Sequence, residues 1–392
     1  MRIAYLVESL QPAGAERVVM ELARAGCGAD CEASIVTLRE AQGASSGKGR
    51  DIQEFPLFKP GEFHWPGSAP AAAWRLRRTL ERLRPDVVAI HTPKAALIGA
   101  LAGTRVPTLW VLHGHDVCWD GATLRHKLSR ALQRWVRRRM GGRVAAVSAS
   151  LADHAAEGLG LPRHQIAVIP NGIDTSRFRF QERTPTDDVV VCVLGRLIPK
   201  KGPGQALEAF GWLKKQLPAA RLWFVGDGPM WDELTAVVAE RGWKHAVTFW
   251  GMVERPEERL RQATVLWMPS ESEGFGIACV EAMASGVPVL GFDVRGVRDL
   301  LQDGCGVLVP PQDAGELAEQ TVRLVRDGAA YQAMARAARA RVDSQYSFER
   351  MRAGHYQLMQ ALCRREPAAE QRALAGAACG WRGKAQREIE KA

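Results

Sequence analysis

Long apolar runs are absent from this sequence. No stretch reaches the roughly 20 consecutive apolar residues that a membrane-spanning helix requires. The apolar run of residues 3–7 is short and is followed by Glu8, which is not the pattern of a signal peptide. The 8 cysteines are scattered, and only Cys27 and Cys31 lie close together, so neither a zinc site nor a disulfide framework is indicated. We therefore expect reduced thiols in a cytoplasm.

The composition is that of a globular protein with two cores. The chain has 392 residues, of which 46% are apolar and 24% are charged, and a chain of this length usually forms two domains. Its net charge of +10 is uneven, because residues 1–180 carry a net +9 and residues 74–143 alone hold 15 basic against 4 acidic side chains. A basic first half predicts an anionic partner: a membrane surface, a lipid diphosphate or a nucleic acid.

The segment Thr264–Phe292 has the pattern strand, loop, helix, strand. Apolar residues 265–268 predict one strand and residues 287–292 a second. Between them, residues 269–276 have turn composition, and residues 277–284 have a helical spacing that ends at Gly286. Two strands joined by one helix of this length form a βαβ unit, so the strands should be parallel.

The loop of this unit has the composition of a phosphate site. Gly274 and Gly276 allow backbone N–H groups to approach a ligand, and the following helix directs the positive end of its dipole there. Glu273 and Glu281 are suited to hydroxyl groups on either side of a phosphate, because carboxylates accept hydrogen bonds. A sugar linked to a nucleoside diphosphate has that layout. The alternative is an ordinary βαβ turn with Glu273 solvated and Glu281 on the helix surface.

With these glutamates inside SESEGFGIACVEAMASGVPV, the sequence resembles the retaining glycosyltransferases of family 4 (glycosyl transferases group 1), which have the GT-B fold. The resemblance covers roughly residues 1–363 and is strongest in residues 189–310. It implies two Rossmann-like, doubly wound α/β domains that face a cleft. It also implies that Glu273 binds sugar hydroxyls and that Glu281 binds the ribose. The donor-binding residues that it implies in this motif are Glu273, Gly274, Phe275, Gly276, Ile277 and Glu281.

Two candidate positions in the first domain follow predicted strands. Gly14 comes after the first strand, and the resemblance places it beside the donor diphosphate; G-x-G-x-x-G is absent, so a dinucleotide site is not favoured. His113 follows a later strand, and a histidine at the carboxyl end of a parallel strand points into the ligand crevice. The resemblance places His113 against the transferred sugar, whereas the alternative is a histidine that satisfies loop carbonyls. His115 is a second candidate, and Asp116 would orient either ring.

Residues 123–140 predict a cationic amphipathic helix with seven Lys or Arg side chains and no acidic one. Such a helix can lie on an anionic membrane surface, which would place the protein peripherally on the inner face of the plasma membrane. The alternative is a core helix with a solvated basic face. No nucleic-acid-binding module is recognised, so we expect no nucleic-acid partner. The apolar stripe of this helix comprises Leu124, Leu128, Leu132, Trp135 and Val136.

Basic residues follow the first predicted strand of the second domain, in the sequence GRLIPKKG. The resemblance places Arg196 and Lys201 at the donor diphosphate, where two cations could stabilise a departing diphosphate without metal. Lys200 is the alternative to Lys201, and a solvated basic loop is the alternative to a site. No D-x-D motif lies at a strand end, so we expect no metal ion and no cofactor. One departure is Asp299, where many family members have glutamate.

These observations predict the domain organisation. We expect an acceptor-binding domain over residues 1–180 and a nucleotide-sugar-binding domain over residues 181–345. Residues 346–363 resemble the family's terminal helix, which crosses back to the first domain. Residues 364–392 show little apolar pattern and are predicted to be a flexible tail.

The resemblance implies a metal-independent hexosyltransferase that retains anomeric configuration. The donor would be a nucleoside-diphosphate sugar, with a UDP-sugar favoured, and the catalytic candidates are His113, Glu273, Arg196 and Lys201. The basic first domain favours a lipid-linked or surface polysaccharide acceptor, as in exopolysaccharide or lipopolysaccharide assembly. Two alternatives stay open: a GT-B-fold epimerase acting on a nucleotide sugar, and a catalytically silent sugar-nucleotide-binding protein.

Overall fold

The computed structural model describes residues 1–11, 14–26, 31–40, 52–114, 123–186 and 188–364. The predictions for His115, Asp116 and residues 365–392 lie outside this part of the chain. The chain divides into two compact units, which we call the first and second domains. The first domain comprises residues 1–171 together with the segment from Glu349 onward, and the second comprises Gly172–Phe348.

A parallel sheet of seven strands forms the centre of the first domain. The strands are β1 (Arg2–Val7), β2 (Glu32–Thr37), β3 (Gln53–Pro56), β4 (Val87–Ile90), β5 (Thr108–Leu112), β6 (Arg143–Ala146) and β7 (Ile166–Val168). Their order across the sheet is β3-β2-β1-β4-β5-β6-β7. The helices are α1 (Gly14–Ala25), α2 (Ala69–Leu83), α3 (Pro93–Ala102), α4 (Leu124–Met140) and α5 (Ala149–Leu159).

The second domain has a parallel sheet of six strands. They are β8 (Val190–Leu194), β9 (Arg221–Val225), β10 (Val247–Phe249), β11 (Val265–Met268), β12 (Val289–Phe292) and β13 (Val307–Val309), in the order β10-β9-β8-β11-β12-β13. The helices are α6 (Pro203–Gln216), α7 (Trp231–Glu240), α8 (Pro256–Leu260), α9 (Ile277–Ala284), α10 (Val297–Leu301), α11 (Ala314–Arg326) and α12 (Gly328–Gln345). The last helix, α13 (Phe348–Cys363), leads back into the first domain.

The apolar runs become strands because both faces of each central strand are covered. All four residues of β4 and of β11 are buried, which is the pattern of a parallel sheet with helices on its faces. The one polar atom on the Trp267 side chain in β11 is satisfied, because its Nε1 donates to Oγ1 of Thr321 in α11 at 2.9 Å. The core of the second domain can therefore exclude water without an unpaired indole N–H.

Both sheets have the strand order of a Rossmann fold. In each sheet the first strand lies between the second and the fourth, so the order reverses between β1 and β4 and again between β8 and β11. Ligands of open parallel sheets bind outside the carboxyl ends of the strands at this switch point. The predicted fold class, two Rossmann-like α/β domains, is confirmed. The switch points also locate where each domain should bind its ligand.

Two elements differ from the sequence-based expectation. Strand β3, of sequence QEFP, was not predicted, because an edge strand of four largely exposed residues has no apolar alternation. Strand β12 begins at Val289 rather than at Val287. Val287 and Pro288 precede it, and the Pro288 carbonyl accepts a hydrogen bond from the Leu266 N–H at 2.9 Å.

Candidate functional site

At the switch point of the second domain, the loops that follow β8 and β11 lie in direct contact. Gly202 has φ +66°, and a Cβ atom there would come within 1.9 Å of the Pro269 carbonyl oxygen, so only glycine permits this approach. Two residues further along the second loop, the N–H of Glu271 donates to the Lys200 carbonyl at 3.0 Å. These contacts hold Lys201 beside the loop of residues 269–276.

Lys201 forms an ion pair with the buried carboxylate of Glu273. Its Nζ donates to Oε1 of Glu273, and Oγ of Ser270 donates to the same oxygen at 3.0 Å. Glu273 is only 6% exposed, whereas the Lys201 side chain is partly exposed. A carboxylate at this depth requires a cation and a hydroxyl to offset its lost hydration. A ligand that offers hydroxyl groups could replace these partners.

Arg196 and Lys201 line one pocket at this switch point. The pocket is lined by residues from the ends of β8 and β11, and these include Arg196, Lys201 and Ser270. Arg196 is exposed, and within the described ranges its side chain forms neither an ion pair nor a hydrogen bond. The pocket therefore combines one guanidinium that is available to an anion and one ammonium that a carboxylate already holds.

Helix α9 follows the loop that carries Glu273 and is preceded by glycine. Gly276 is its N-cap residue with φ +95°, and Ile277 is the first helical residue, so the N-terminal N–H groups of α9 border the loop. Gly274 is buried, and the ring of Phe275 packs edge-on against Tyr346 with centroids 5.4 Å apart. Glu281 on α9 is 3% exposed. The alternative of an ordinary turn with solvated glutamates is wrong, since both side chains are buried.

Burial also raises the pKa of a thiol close to Glu273. Cys279 lies on α9, and its burial, together with the nearby Glu273 carboxylate, raises the pKa of the thiol. The thiol therefore stays protonated at neutral pH and is not a nucleophile. Asp299 lies in α10. Gly296, the N-cap residue of α10, packs against the backbone carbonyl of Glu273.

At the switch point of the first domain, Gly14 is the first residue of α1, and α1 follows β1. Gly14 is exposed, and β1 pairs directly with β4. The glycine therefore lies at the N-terminus of a 12-residue helix at the edge where a ligand is expected.

Three histidines form a buried cluster beside this edge. His91 follows β4, His113 follows β5, and His355 comes from α13. Nδ1 of His91 lies 2.8 Å from Nε2 of His113, which is a hydrogen bond between two imidazole rings. The ring centroids are 5.1 Å apart for His91 and His113, and 6.1 Å apart for His91 and His355. We call these three residues the histidine cluster.

The histidine cluster is neutral at physiological pH. Burial lowers the pKa of His91 well below its ordinary value, and the neighbouring His113 and His355 rings lower it further. Burial and His355 lower the pKa of His113 to about 3, and burial alone lowers the pKa of His355 to about 4. Each neutral ring has one N–H donor and one acceptor nitrogen. Nε2 of His91, Nδ1 of His113 and both ring nitrogens of His355 have no hydrogen-bond partner among the described residues.

Helix α4 has an apolar stripe that the core does not cover. Of the predicted stripe, only Val136 is buried. The other four side chains are between 43% and 71% exposed, and they are Leu124, Leu128, Leu132 and Trp135. The alternative of a core helix with a solvated basic face therefore holds only for Val136 and Met140, which are the buried residues of α4. The other four residues of the stripe are not covered by the core. Among the described helices, none is both long and apolar enough to cross a bilayer.

The sequence-based search missed three residues that the structure brings to these positions. Ser270 lies in the loop after β11, but a serine beside proline is an ordinary turn residue. His91 ends a strand just as His113 does, so the same signal could have identified it. His355 gave no signal, because a histidine inside a helix has no positional preference. In the described ranges, no three His, Cys, Asp or Glu side chains are arranged to hold a metal ion.

Comparisons with known proteins give matches over both domains. A family model described as Glycosyltransferase Family 4 matches residues 12–177, and one described as Glycosyl transferases group 1 matches residues 174–341. A Mycobacterium tuberculosis glycogen synthase is 30% identical over 275 residues, which span 68% of this chain and 66% of that enzyme. The GDP-mannose-dependent alpha-(1-6)-phosphatidylinositol monomannoside mannosyltransferase of the same species is 30% identical over 289 residues, covering 68% of this chain and 71% of that enzyme.

A solved structure with the same fold is that of Anabaena HepE in complex with UDP and glucose. It superposes with a TM-score of 0.77 at 22% identity and covers 92% of this chain and 100% of that one. At this identity the likeness establishes the shared two-domain fold and nothing more.

Proposed function

The chain belongs to the group 1 and family 4 glycosyltransferases of GT-B fold, and on that premise we propose that it transfers a sugar from a nucleoside-diphosphate sugar to a saccharide acceptor with retained anomeric configuration. The observation that carries the proposal is the pocket at the β8/β11 switch point. There Lys201 pairs with the buried Glu273, and Arg196 lines the same pocket.

The residues at and next to this switch point suit the donor from one end to the other. Arg196, Lys201 and the N-terminal N–H groups of α9 would hold the diphosphate, because cations and a helix N-terminus both attract anions. Backbone N–H groups of Gly276 and Ile277 would contribute there, with Gly274 and Phe275 shaping the loop. Glu273 would accept hydrogen bonds from sugar hydroxyls and Glu281 from the ribose. Gly14, at the N-terminus of α1, is a further residue that we propose for diphosphate binding.

The proposed reaction needs no metal ion and no cofactor. The bond between the sugar C1 and the diphosphate oxygen breaks, and the acceptor oxygen bonds to C1 on the same face. The acceptor proton passes to the departing phosphate oxygen. Arg196, Lys201 and the α9 dipole stabilise the charge that develops on the diphosphate. Glu273 is not the nucleophile in this scheme, and His113 binds the transferred sugar.

For the donor we favour a UDP-sugar, supported by the UDP in the HepE structure. A GDP-sugar is the main competitor, because the mycobacterial mannosyltransferase is GDP-mannose-dependent by name. The proposed carboxylates and cations would bind the ribose, the sugar and the diphosphate. These parts occur in UDP-sugars and GDP-sugars alike, so these side chains do not discriminate between the bases.

For the acceptor we propose a lipid-linked or surface saccharide, as in exopolysaccharide or lipopolysaccharide assembly, reached by a cytoplasmic enzyme on the inner membrane surface. The support is helix α4, where the exposed apolar stripe is accompanied by seven Lys or Arg side chains and no acidic one. Exposed Leu and Trp can enter the headgroup region, while each nearby cation adds about 1 kcal/mol on an anionic surface.

The first experiment is a binding titration of UDP, GDP and ADP by calorimetry, each with EDTA and with magnesium. We expect one nucleotide to bind in EDTA, and Arg196→Ala to weaken it at least about tenfold, since a charged hydrogen bond contributes about 1.5–3 kcal/mol. Arg261→Ala is the matched control, because Arg261 is also exposed and does not line the pocket. Nucleotide binding that requires magnesium, or an affinity that Arg196→Ala leaves unchanged, would contradict the proposal.

Product analysis then separates the alternatives. A transferase converts the donor to free nucleoside diphosphate and a glycoside only with acceptor present, apart from slow hydrolysis. Conversion of the sugar without any acceptor would indicate an epimerase, and tight binding without turnover a silent binding protein.

Vesicle sedimentation tests the membrane part of the proposal. We expect the wild type to bind vesicles that contain phosphatidylglycerol more strongly than neutral phosphatidylcholine vesicles. The double variant Leu128→Gln/Leu132→Gln should lose most of this binding, whereas Trp74→Gln, which removes an equally exposed apolar side chain from α2, should keep it. Equal binding to both kinds of vesicle would refute the membrane role.

A further inference from the structure

His91 is buried and is anchored to the central strands of the first sheet. Its backbone N–H donates to the Leu6 carbonyl in β1 at 3.0 Å, so its position is set by the central strands of the sheet. The centroid of its ring is 5.8 Å from that of Tyr5 and 6.1 Å from that of His355. The side chain is 2% exposed. A polar ring enclosed in this way has little freedom of its own and can orient a neighbour.

The neighbour that it orients is His113. The 2.8 Å contact joins Nδ1 of His91 to Nε2 of His113, and one of these two nitrogens must carry the proton. If His91 donates, His113 has its own proton on Nδ1; if His113 donates, its Nδ1 is an acceptor. In both cases the bond to His91 determines whether Nδ1 of His113 is a hydrogen-bond donor or an acceptor.

We propose that His91 is a positioning residue, whose hydrogen bond to Nε2 fixes the ring and tautomer of His113 and leaves Nδ1 as the ring atom of His113 that meets a sugar hydroxyl. The proposal rests on the proposed role of His113 at the transferred sugar. It adds a residue that touches no substrate and acts only through His113.

The position of Nδ1 is consistent with this role. Nδ1 of His113 is buried, and no described residue bonds to it. A buried nitrogen without a partner is costly, and a ligand hydroxyl, which can donate or accept, would satisfy it in either tautomer. Nε2 could not serve, because His91 already occupies it.

The test compares two substitutions of His91. Asparagine places its amide at the same number of bonds from Cα as Nδ1 of histidine, so His91→Asn can preserve the hydrogen bond, whereas His91→Leu cannot. His154→Leu is the control for removing a buried histidine from the same domain, since His154 lies in α5. All four proteins are compared at pH 7.5, where the cluster is neutral.

The first readout is hydrolysis of UDP-glucose without acceptor. We expect His91→Leu to lower kcat by about 10- to 100-fold, as misplacement of a positioned group does, while KM changes less than about threefold. His91→Asn should recover most of the loss, and His154→Leu should resemble the wild type. Equal impairment of the two His91 variants, or wild-type kcat in His91→Leu, would overturn the proposal.

The second readout does not depend on activity. Nitrogen-15 spectra of histidine-labelled protein report the tautomer of each ring, and His113→Asn identifies the His113 signals. We expect one fixed neutral tautomer for His113 in the wild type and in His91→Asn, and an exchanging or altered tautomer in His91→Leu. An unchanged His113 signal in His91→Leu would overturn the proposal. If the wild type binds no nucleoside diphosphate but these spectra behave as expected, then the proposed function fails and the positioning of His113 by His91 stands.

Discussion

Mild acid should destabilise the first domain through the histidine cluster. The groups that face one another there are His91 after β4, His113 after β5, His355 on α13 and the ring of Tyr5 in β1. No carboxylate contributes to the pKa shifts of the three histidines, which are lowered by burial and by one another. A proton that enters the cluster therefore finds no acidic partner in the described part of the domain.

The magnitude can be worked out for His355, which is 1% exposed. Its pKa is lowered from 6.5 to about 4 by burial. Between these values the unfolded chain binds a proton that the folded chain does not, so the free energy of unfolding falls as the pH decreases. The contribution of His355 is fully present above pH 6.5. About 2 kcal/mol of it is lost by pH 5, with a limiting slope of about 1.4 kcal/mol per pH unit.

Hydrogen exchange measured by mass spectrometry provides the assay, because it reports each domain separately. We expect protection in α13 and β4 to fall between pH 7 and pH 5, after correction for the intrinsic exchange rate, while β8 and β9 change less. The variant His355→Leu should show a shallower dependence by about one proton. Protection of α13 that is flat over this range, or that falls equally in His355→Leu, would refute the reasoning.

Two further predictions concern the second domain. Lys201→Ala leaves the buried Glu273 carboxylate without its cation, so we expect the free energy of unfolding in urea to fall by about 1–3 kcal/mol. Adding Glu273→Gln in the same chain should restore most of this loss, whereas additive effects of the two substitutions would show that the pair is not coupled. Gly202→Ala forces a Cβ atom into the Pro269 carbonyl at positive φ, so it should lower Tm by several degrees and weaken nucleotide binding. Gly204→Ala, whose Cβ meets open space, should be neutral or stabilising, and equal effects of the two alanines would contradict the packing argument.

The sequence predicted those parts of the structure that depend on local pattern. The apolar run of residues 265–268 identified β11, and short apolar segments indicated the strands before Gly14, His113 and Arg196, because strands buried on both faces are continuous apolar segments. The pocket of the second domain could also be predicted, since Glu273 and Gly276 lie in a single βαβ unit, and Arg196 and Lys201 follow the strand that pairs with it. In a Rossmann sheet, residues after adjacent parallel strands meet at the same edge.

The histidine cluster could not be predicted in the same way, although two of its members end strands. His91 and His113 follow β4 and β5, which pair with each other, so their proximity follows from the strand order once the sheet is known. His355 is more than 240 positions further along the chain and reaches the cluster only because α13 returns to the first domain. Local pattern carries no information about such a return. The hydrogen bond between His91 and His113 is set by side-chain packing, which depends on this third element as well. Long-range packing of polar side chains thus decides which nitrogen of His113 is free, and this is the feature on which the proposed role of His91 depends.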